Sequence, residues 1–317
     1  MEHLEYDLGT TFNVPELNGS LIEGYKNATP FVPNDEPDYQ FSLELLCDLM
    51  VWYQGLSNDG LYLFGPTGCG KSSALNVFCA RLNIPIYEKT MYDGLEFEGL
   101  LGRTSIIEGD TLFNYGPLPM AMGVTDQPGI FLINEIDHAN EGVVTGMYEV
   151  LEGRPLTLEA DGIDVIKPVP GFRIAATGNT NMLGDQSFHY NGAIKQNLAF
   201  LDRFMKVNLG YPTAEVEEGL LSKIAPELSE ELRTRMRNVA ASIRLLFLSD
   251  EESAIDITMS TRSLLRWAKL CVQYKFVAQL GKTPHLYALD RAVLFGTSAP
   301  VKQAITDIVK LEIGEVG

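Results

Sequence analysis

Basic residues are scarce in this chain. Its 24 Lys and Arg stand against 42 Asp and Glu, a formal net charge of −18. That balance argues against broad, sequence-independent binding to nucleic acid, which relies on Lys and Arg to neutralise phosphates. It favours solubility and basic or neutral protein partners. Long apolar runs are missing too, and none could span a bilayer. The opening residues, Met1-Glu2-His3-Leu4-Glu5-Tyr6-Asp7, lack the basic and apolar regions of a signal peptide. Only four cysteines occur, Cys47, Cys69, Cys79 and Cys271, without metal-type spacing. Their scatter excludes a disulfide scaffold and suits reduced thiols. Four histidines, His3, His138, His189 and His285, form no metal-ligand pattern. The expectation is a cytoplasmic protein with no membrane partner, and with nucleic acid the least favoured ligand.

What the chain does contain centres on Gly65-Pro66-Thr67-Gly68-Cys69-Gly70-Lys71-Ser72. The pattern is that of a phosphate-binding loop. Its glycines let the backbone curl and turn N–H groups inward around a phosphate chain. Lys71 can reach β- and γ-phosphates, and the Ser72 hydroxyl can ligate Mg²⁺. Gly60-Leu61-Tyr62-Leu63-Phe64 before it is a buried-strand run. Ser73 to Arg81 after it reads as a helix whose N-terminus faces the anion. So the motif has the strand–loop–helix setting it requires. Cys69 inside the loop reads either as a redox-sensitive thiol or, more simply, as a small residue that fits.

At 317 residues, a core domain with a smaller second one is expected. Residues 1–40 are broken by Pro15, Pro30, Pro33 and Pro37 and read as an arm packed on the core. Residues 41–211 read as an α/β core. A helix at 42–54 precedes the loop strand, and further strands are expected at 84–87, 129–133, 172–177 and 204–209. A helix is expected at 141–152. Hairpin signals surround Glu108-Gly109-Asp110 and Ala160-Asp161-Gly162. Strands alternating with helices imply a five-stranded parallel sheet covered on both faces. After Tyr211-Pro212 the pattern turns helical, at 214–224, 228–247, 261–279 and 299–312, so residues 212–317 read as a helical lid. Leu264, Trp267, Ala268 and Cys271 share one helix face, with Ser260 placed to cap.

Four further stretches carry chemistry. Phe131-Leu132-Ile133-Asn134-Glu135 is an apolar strand ending in two polar residues. Glu135 is the candidate general base. Asn134 offers a carbonyl acceptor to a metal-bound water but no negative charge, and Asp137 is a candidate compensating carboxylate. Ala176-Thr177-Gly178-Asn179-Thr180 ends the next strand, where Asn179 can hold the attacking water. Arg203, in Leu201-Asp202-Arg203-Phe204, has two readings. It is an arginine finger toward a neighbouring subunit's nucleotide, or a surface arginine paired with Asp202 or carboxylates near Glu135. Arg262, in Ser260-Thr261-Arg262, either touches the γ-phosphate from the lid or is a solvated arginine in a first helical turn, where the dipole disfavours it unless an anion binds. Residues 184–192, with His189, read as a partner loop or an ordinary connection.

The ordered series of phosphate loop, apolar-Asn-Glu, Ala-Thr-Gly-Asn, Leu-Asp-Arg-Phe and Ser-Thr-Arg resembles the AAA+ ATPases. The two hairpins and the position of Arg262 resemble the MoxR branch. Val32-Pro33 to Pro37-Asp38-Tyr39, Phe172 to Thr180, Leu183-Gly184-Asp185 and Tyr190-Asn191-Gly192 resemble the CobS family, the small ATPase subunits of aerobic cobaltochelatases. The resemblance implies a hexameric ring with Mg-ATP at subunit boundaries, held by Gly65 through Ser73 and with Ser72 and Asn134 toward Mg²⁺. Lys71, Ser72, Asn134, Glu135 and Asn179 would act from one subunit and Arg203 from the next. It also implies a von Willebrand A-domain partner and a protein client, with any metal substrate bound by the client. Asn134 departs from the family's acidic residue. Against a hydrolysing remodeller stand a nucleotide-gated assembly scaffold that hydrolyses slowly, and a nucleic-acid motor that the charge disfavours.

Overall fold

The computed structural model describes residues 2–55, 59–107, 110–159, 163–182, 194–248 and 255–314. The turns of both expected hairpins and the 184–192 loop with His189 lie outside the described residues. Two compact units form: Met1–Gly65 with Gly70–Leu209, and Pro66–Cys69 with Gly210–Gly317.

In the first unit the strands run in chain order. They are β1 (His3–Asp7), β2 (Leu21–Tyr25), β3 (Gly60–Phe64), β4 (Ile86–Thr90), β5 (Gly102–Ile107), β6 (Asp110–Tyr115), β7 (Ile130–Asn134), β8 (Leu156–Glu159), β9 (Ile163–Ile166), β10 (Arg173–Gly178) and β11 (Phe204–Asn208). Five make a parallel sheet in the order β11-β3-β10-β7-β4. Alternate residues of β3 bury on opposite faces, as a doubly covered strand requires. Leu61 and Leu63 pack with Ala74, Leu75 and Phe78 of the loop helix (Lys71–Arg81). Tyr62 packs on the other side with Phe131, Val143 and Met147, below the helix Glu141–Leu151. The second expected strand lies later than its apolar residues suggested, at Ile86–Thr90. It is an edge strand: Glu88, Lys89 and Thr90 pair with β7, and among the described residues no strand pairs with its other side, where Ile86 N donates to the Phe31 carbonyl at 2.9 Å.

The N-terminal stretch, expected as an arm broken by its prolines, closes in its first part into the antiparallel pair β1–β2. A one-and-a-half-turn helix, Leu8–Phe12, lies between them, capped by Asp7, whose carboxylate accepts from Thr10 N at 2.9 Å. Leu8, Phe12, Ile22 and Tyr25 are buried with the loop helix, and burial of that apolar area outweighs the breaks in pattern. Arg81, at the far end of the loop helix, donates to Asp35 at 3.1 Å and to the Tyr39 carbonyl at 3.4 Å, tying down the Pro-rich segment. Two antiparallel pairs, β5–β6 and β8–β9, complete this unit.

The second unit is helical: Ala214–Ile224, Glu230–Leu248, Thr261–Gln273, Pro284–Leu289 and Ala299–Ile313. The third helix stops at Gln273, short of the expected 279, and a tighter 3₁₀ run, Lys275–Leu280, follows. Leu264, Trp267, Ala268 and Cys271 are buried as their spacing required, and Ser260 Oγ accepts from Ser263 N at 3.1 Å as the cap. Burial pushes the Cys271 thiol up to about 11, so it is a packing residue and not a reactive one. Beneath this cluster Arg244 and Glu217 form a buried bidentate pair at 2.7 and 2.9 Å. Arg244 Nε donates to the Met259 carbonyl at 2.7 Å, and Thr261 Oγ1 donates to Glu217 at 2.7 Å. Both residues flanking Ser260 are therefore pinned by one ion pair. Among the described residues no helix is long and apolar enough to cross a membrane.

Candidate nucleotide-binding site

The phosphate loop begins where β3 ends. Gly65, Gly68 and Gly70 have φ of +150°, +69° and +103°, a backbone that residues with a Cβ adopt at a cost. Pro66 to Cys69 turn tightly, with Cys69 N near the Pro66 carbonyl at 3.4 Å, and Cys69 is buried. Lys71 then starts the helix with its side chain almost wholly buried, and Ser72 and Ser73 occupy the same first turn. Lys71 Nζ donates to the Gly65 carbonyl at 2.8 Å and to Asn179 Oδ1 at 3.0 Å.

The sheet order brings the other residues to this loop. Strand β10 sits between β3 and β7, so the C-terminal ends of all three lie side by side. Asn179, just past β10, spans the gap. Its Oδ1 accepts from Lys71, and its Nδ2 donates to Glu135 Oε2 at 2.9 Å. A lysine can only donate and a carboxylate can only accept, so these partners fix which way the amide points. Asn134 Oδ1 likewise accepts from Ser72 Oγ and from Thr177 Oγ1, both at 3.1 Å. Its Nδ2 donates to Glu88 Oε2 at 3.1 Å. Glu135 itself is left-handed, with φ 55° and ψ 47°. For a residue with a Cβ this costs about 1–2 kcal/mol. Such backbone concentrates at functional sites, and here it aims the carboxylate at Asn179.

Asp137 does not compensate for Asn134. Its carboxylate is buried and turned away, accepting from Asn179 N at 2.6 Å, Thr180 N at 3.1 Å and Thr180 Oγ1 at 2.8 Å. The Tyr62 hydroxyl lies 3.1 Å from Asp137 Oδ1 and 2.5 Å from the Thr180 carbonyl. Burial first, then the Asp137 charge, holds the Tyr62 phenol far above its ordinary range, so it stays protonated, its single proton facing the Thr180 carbonyl and that carboxylate. Asp137 is thus the fastener between the end of β7 and the end of β10, and it sets the position of Asn179. Gly178 is where this packing leaves no room. A Cβ there would sit 2.2 Å from Tyr62 Oη and 2.5 Å from Asp137 Oδ2. Gly178→Ala is expected to cost about 1–3 kcal/mol, an overpacking penalty, read as a lower urea midpoint. An unchanged midpoint would show that the cluster yields freely.

Among the described residues Arg203 is not bonded to this cluster. Arg203 follows the short helix Leu198–Leu201 and pairs with Glu152, stacking over Tyr148 at 4.6 Å. Neither Asp202 nor a carboxylate near Glu135 is its partner. The arginine holds the exposed Glu152 carboxyl below its usual range. Arg262 is exposed in the first turn of Thr261–Gln273, within the helical unit. Glu88 and the Asp137–Tyr62 fastener escaped the sequence reading. Glu88 lay beyond the expected strand end, and no local motif marks either.

Residues 60–204 match the AAA domain of the dynein-related subfamily, and residues 217–311 match the CbbQ/NirQ/NorQ C-terminal domain. The chain belongs to the AAA+ ATPases. The pairing of these two domains, with the relatives below, agrees with the MoxR branch and its CobS-like members. The chain is 28% identical over 274 residues to the aerobic cobaltochelatase subunit CobS of a Sinorhizobium species, covering 82% of this chain and 80% of that one. It is 27% identical over 222 residues to the denitrification regulatory protein NirQ of Pseudomonas aeruginosa, covering 69% and 78%. Protein NorQ of Paracoccus denitrificans is 30% identical over 148 residues, 46% of this AAA+ chain and 53% of that one. Among solved structures, a mutant RuvB of Thermotoga maritima superposes with a TM-score of 0.50 at 13% identity, over 82% of this chain and 73% of that one. That likeness concerns the α/β AAA+ fold alone.

Proposed function

We propose that this AAA+ ATPase assembles into a homo-oligomeric ring, hexameric as the family resemblance implies, and uses ATP to remodel or activate a partner protein. The loop amides and Lys71 hold the β- and γ-phosphates. Glu135 accepts the proton of the attacking water, and Asn179 orients Glu135 and that water. The observation that carries this reading is the chain Lys71–Asn179–Glu135, with links of 3.0 and 2.9 Å, which joins the phosphate-binding cation to the candidate base. Ser72 Oγ and Asn134 Oδ1 are hard oxygen donors, a set that suits Mg²⁺. The ion would neutralise phosphate charge when bound. Arg203, paired here with Glu152, would exchange that partner for a neighbouring subunit's nucleotide, and Arg262 would report the γ-phosphate from the helical unit. The relatives' names attach to a cobaltochelatase and to denitrification. A protein client, engaged with a von Willebrand A-domain partner, is the role we carry over to this chain.

The test is direct. Purified protein should turn over ATP and change mass on light scattering when nucleotide is added. Lys71→Ala should weaken nucleotide binding about 10–100-fold, the roughly 1.5–3 kcal/mol of a hydrogen bond to a charged group. Tight binding retained by that variant would refute the site. A second reading, a slowly hydrolysing scaffold, rests on the uncharged Asn134. It predicts that Asn134→Asp raises turnover more than about tenfold, whereas the enzyme reading predicts little gain.

A further inference from the structure

The missing charge at position 134 points to its own replacement. We propose that Glu88 is the carboxylate of the Mg²⁺ site, supplied from the edge strand in place of an acidic residue at Asn134. The inference rests on Mg-nucleotide binding at the phosphate loop.

Strand register puts Glu88 there. Glu88 lies opposite Leu132 in the β4–β7 pairing, so it shares the face of Leu132 and, two residues on, of Asn134. Leu132 packs in the cluster of the loop helix, so this is the face on which Ser72 stands. The side chains form one line: Ser72 Oγ to Asn134 Oδ1 at 3.1 Å, then Asn134 Nδ2 to Glu88 Oε2 at 3.1 Å. Lys89, one residue on, belongs to the opposite face by alternation and pairs with Ile133. Among the described residues no lysine or arginine forms an ion pair with Glu88. It is exposed, and only one of its oxygens is engaged by Asn134. An anionic oxygen one side chain beyond the Ser72 hydroxyl is placed to accept from a water of a hydrated Mg²⁺, an ion that keeps several of its waters. Carboxylates behind such waters commonly set metal affinity by 10–100-fold. Of the other nearby carboxylates, Glu135 accepts from Asn179 Nδ2 and is the candidate base, and Asp137 accepts from Asn179 and Thr180 on the side of Tyr62.

Glu88→Gln is the informative change, because Gln keeps an oxygen to accept from Asn134 and removes only the charge. Binding of a fluorescent ADP analogue in EDTA is measured first, then Mn²⁺ binding to the protein–ADP complex by loss of the free-ion EPR signal. Glu88→Gln should weaken Mn²⁺ by roughly 10–100-fold with metal-free ADP affinity within about twofold. Adding Asn134→Asp to that variant should bring Mn²⁺ affinity back to near the wild-type value. Wild-type Mn²⁺ affinity in Glu88→Gln overturns the assignment of Glu88 and leaves the phosphate loop standing. A loss that Asn134→Asp does not restore overturns it as well, since Glu88 would then act by placing Asn134 and not by charge. Failure of the wild-type chain to bind ADP at all overturns the nucleotide site itself.

Discussion

Glu135→Gln should lower ATP turnover by about 10²–10⁴-fold, the range of a general base, with nucleotide affinity almost unchanged. The expectation follows from the geometry around Asn179. Glutamine at 135 keeps an oxygen to accept from Asn179 Nδ2, now at 2.9 Å from Glu135, so Asn179 keeps its orientation. Lys71 keeps its own bonds to Gly65 and Asn179. The change therefore removes a proton acceptor and leaves the phosphate-binding parts in place. It should separate kcat from binding: trapped ATP in a filter assay, with phosphate release abolished. Residual turnover within threefold of wild type would mean that another group takes the proton, and the role of Glu135 would fall.

Arg244→Met should destabilise the helical unit by about 3–5 kcal/mol, the cost of leaving a buried charge without its partner. Arg244 and Glu217 are 8% and 3% exposed as side chains, and their bond is bidentate. Removing the guanidinium strands Glu217, with Thr261 its remaining donor, and frees the Met259 carbonyl. It also uncovers the Tyr211 ring, over which Arg244 lies at 4.1 Å. The double change Arg244→Met with Glu217→Leu should recover much of the loss, since apolar replacements of similar volume often match a buried pair. Urea unfolding followed by tryptophan fluorescence in a Trp52→Phe background reads this unit, because the remaining Trp267 lies in its core and donates to the His285 carbonyl at 2.8 Å. If the single variant unfolds within 1 kcal/mol of wild type, water reaches Glu217 and the pair is not the fastener described. The same variant should loosen the first turn that carries Arg262, which begins at Thr261.

Much of the fold was legible because its signals are local. The β3 run alternates Leu and Tyr between two clusters, and five such runs separated by helical stretches leave a parallel sheet as the natural arrangement. The hairpin β5–β6 and the capped helix at Ser260 were marked by residues a few positions apart. The N-terminal pair β1–β2 was obscured by Pro15 and by the helix Leu8–Phe12, whose stability comes from Leu8 and Phe12 buried against the loop helix and not from propensity.

The sequence by itself determined the chemistry that contiguous backbone produces: a loop from Gly65 to Ser72 that wraps a phosphate, and apolar strands that end in Asn134-Glu135 and Gly178-Asn179. Tertiary structure alone decided how those ends meet. Lys71 reaches Asn179 across 108 residues, Asp137 fastens to Tyr62 across 75, Arg203 is held by Glu152 across 51, and Asn134 meets Glu88 across 46. The reason is the period of the strand. A shift of one residue between β4 and β7 would turn Glu88 to the opposite face, and nothing within either strand records that register. Asp137 shows the same limit in reverse: three residues after Asn134 in the chain, it turns to the other side of the sheet because the backbone reverses hand at Glu135.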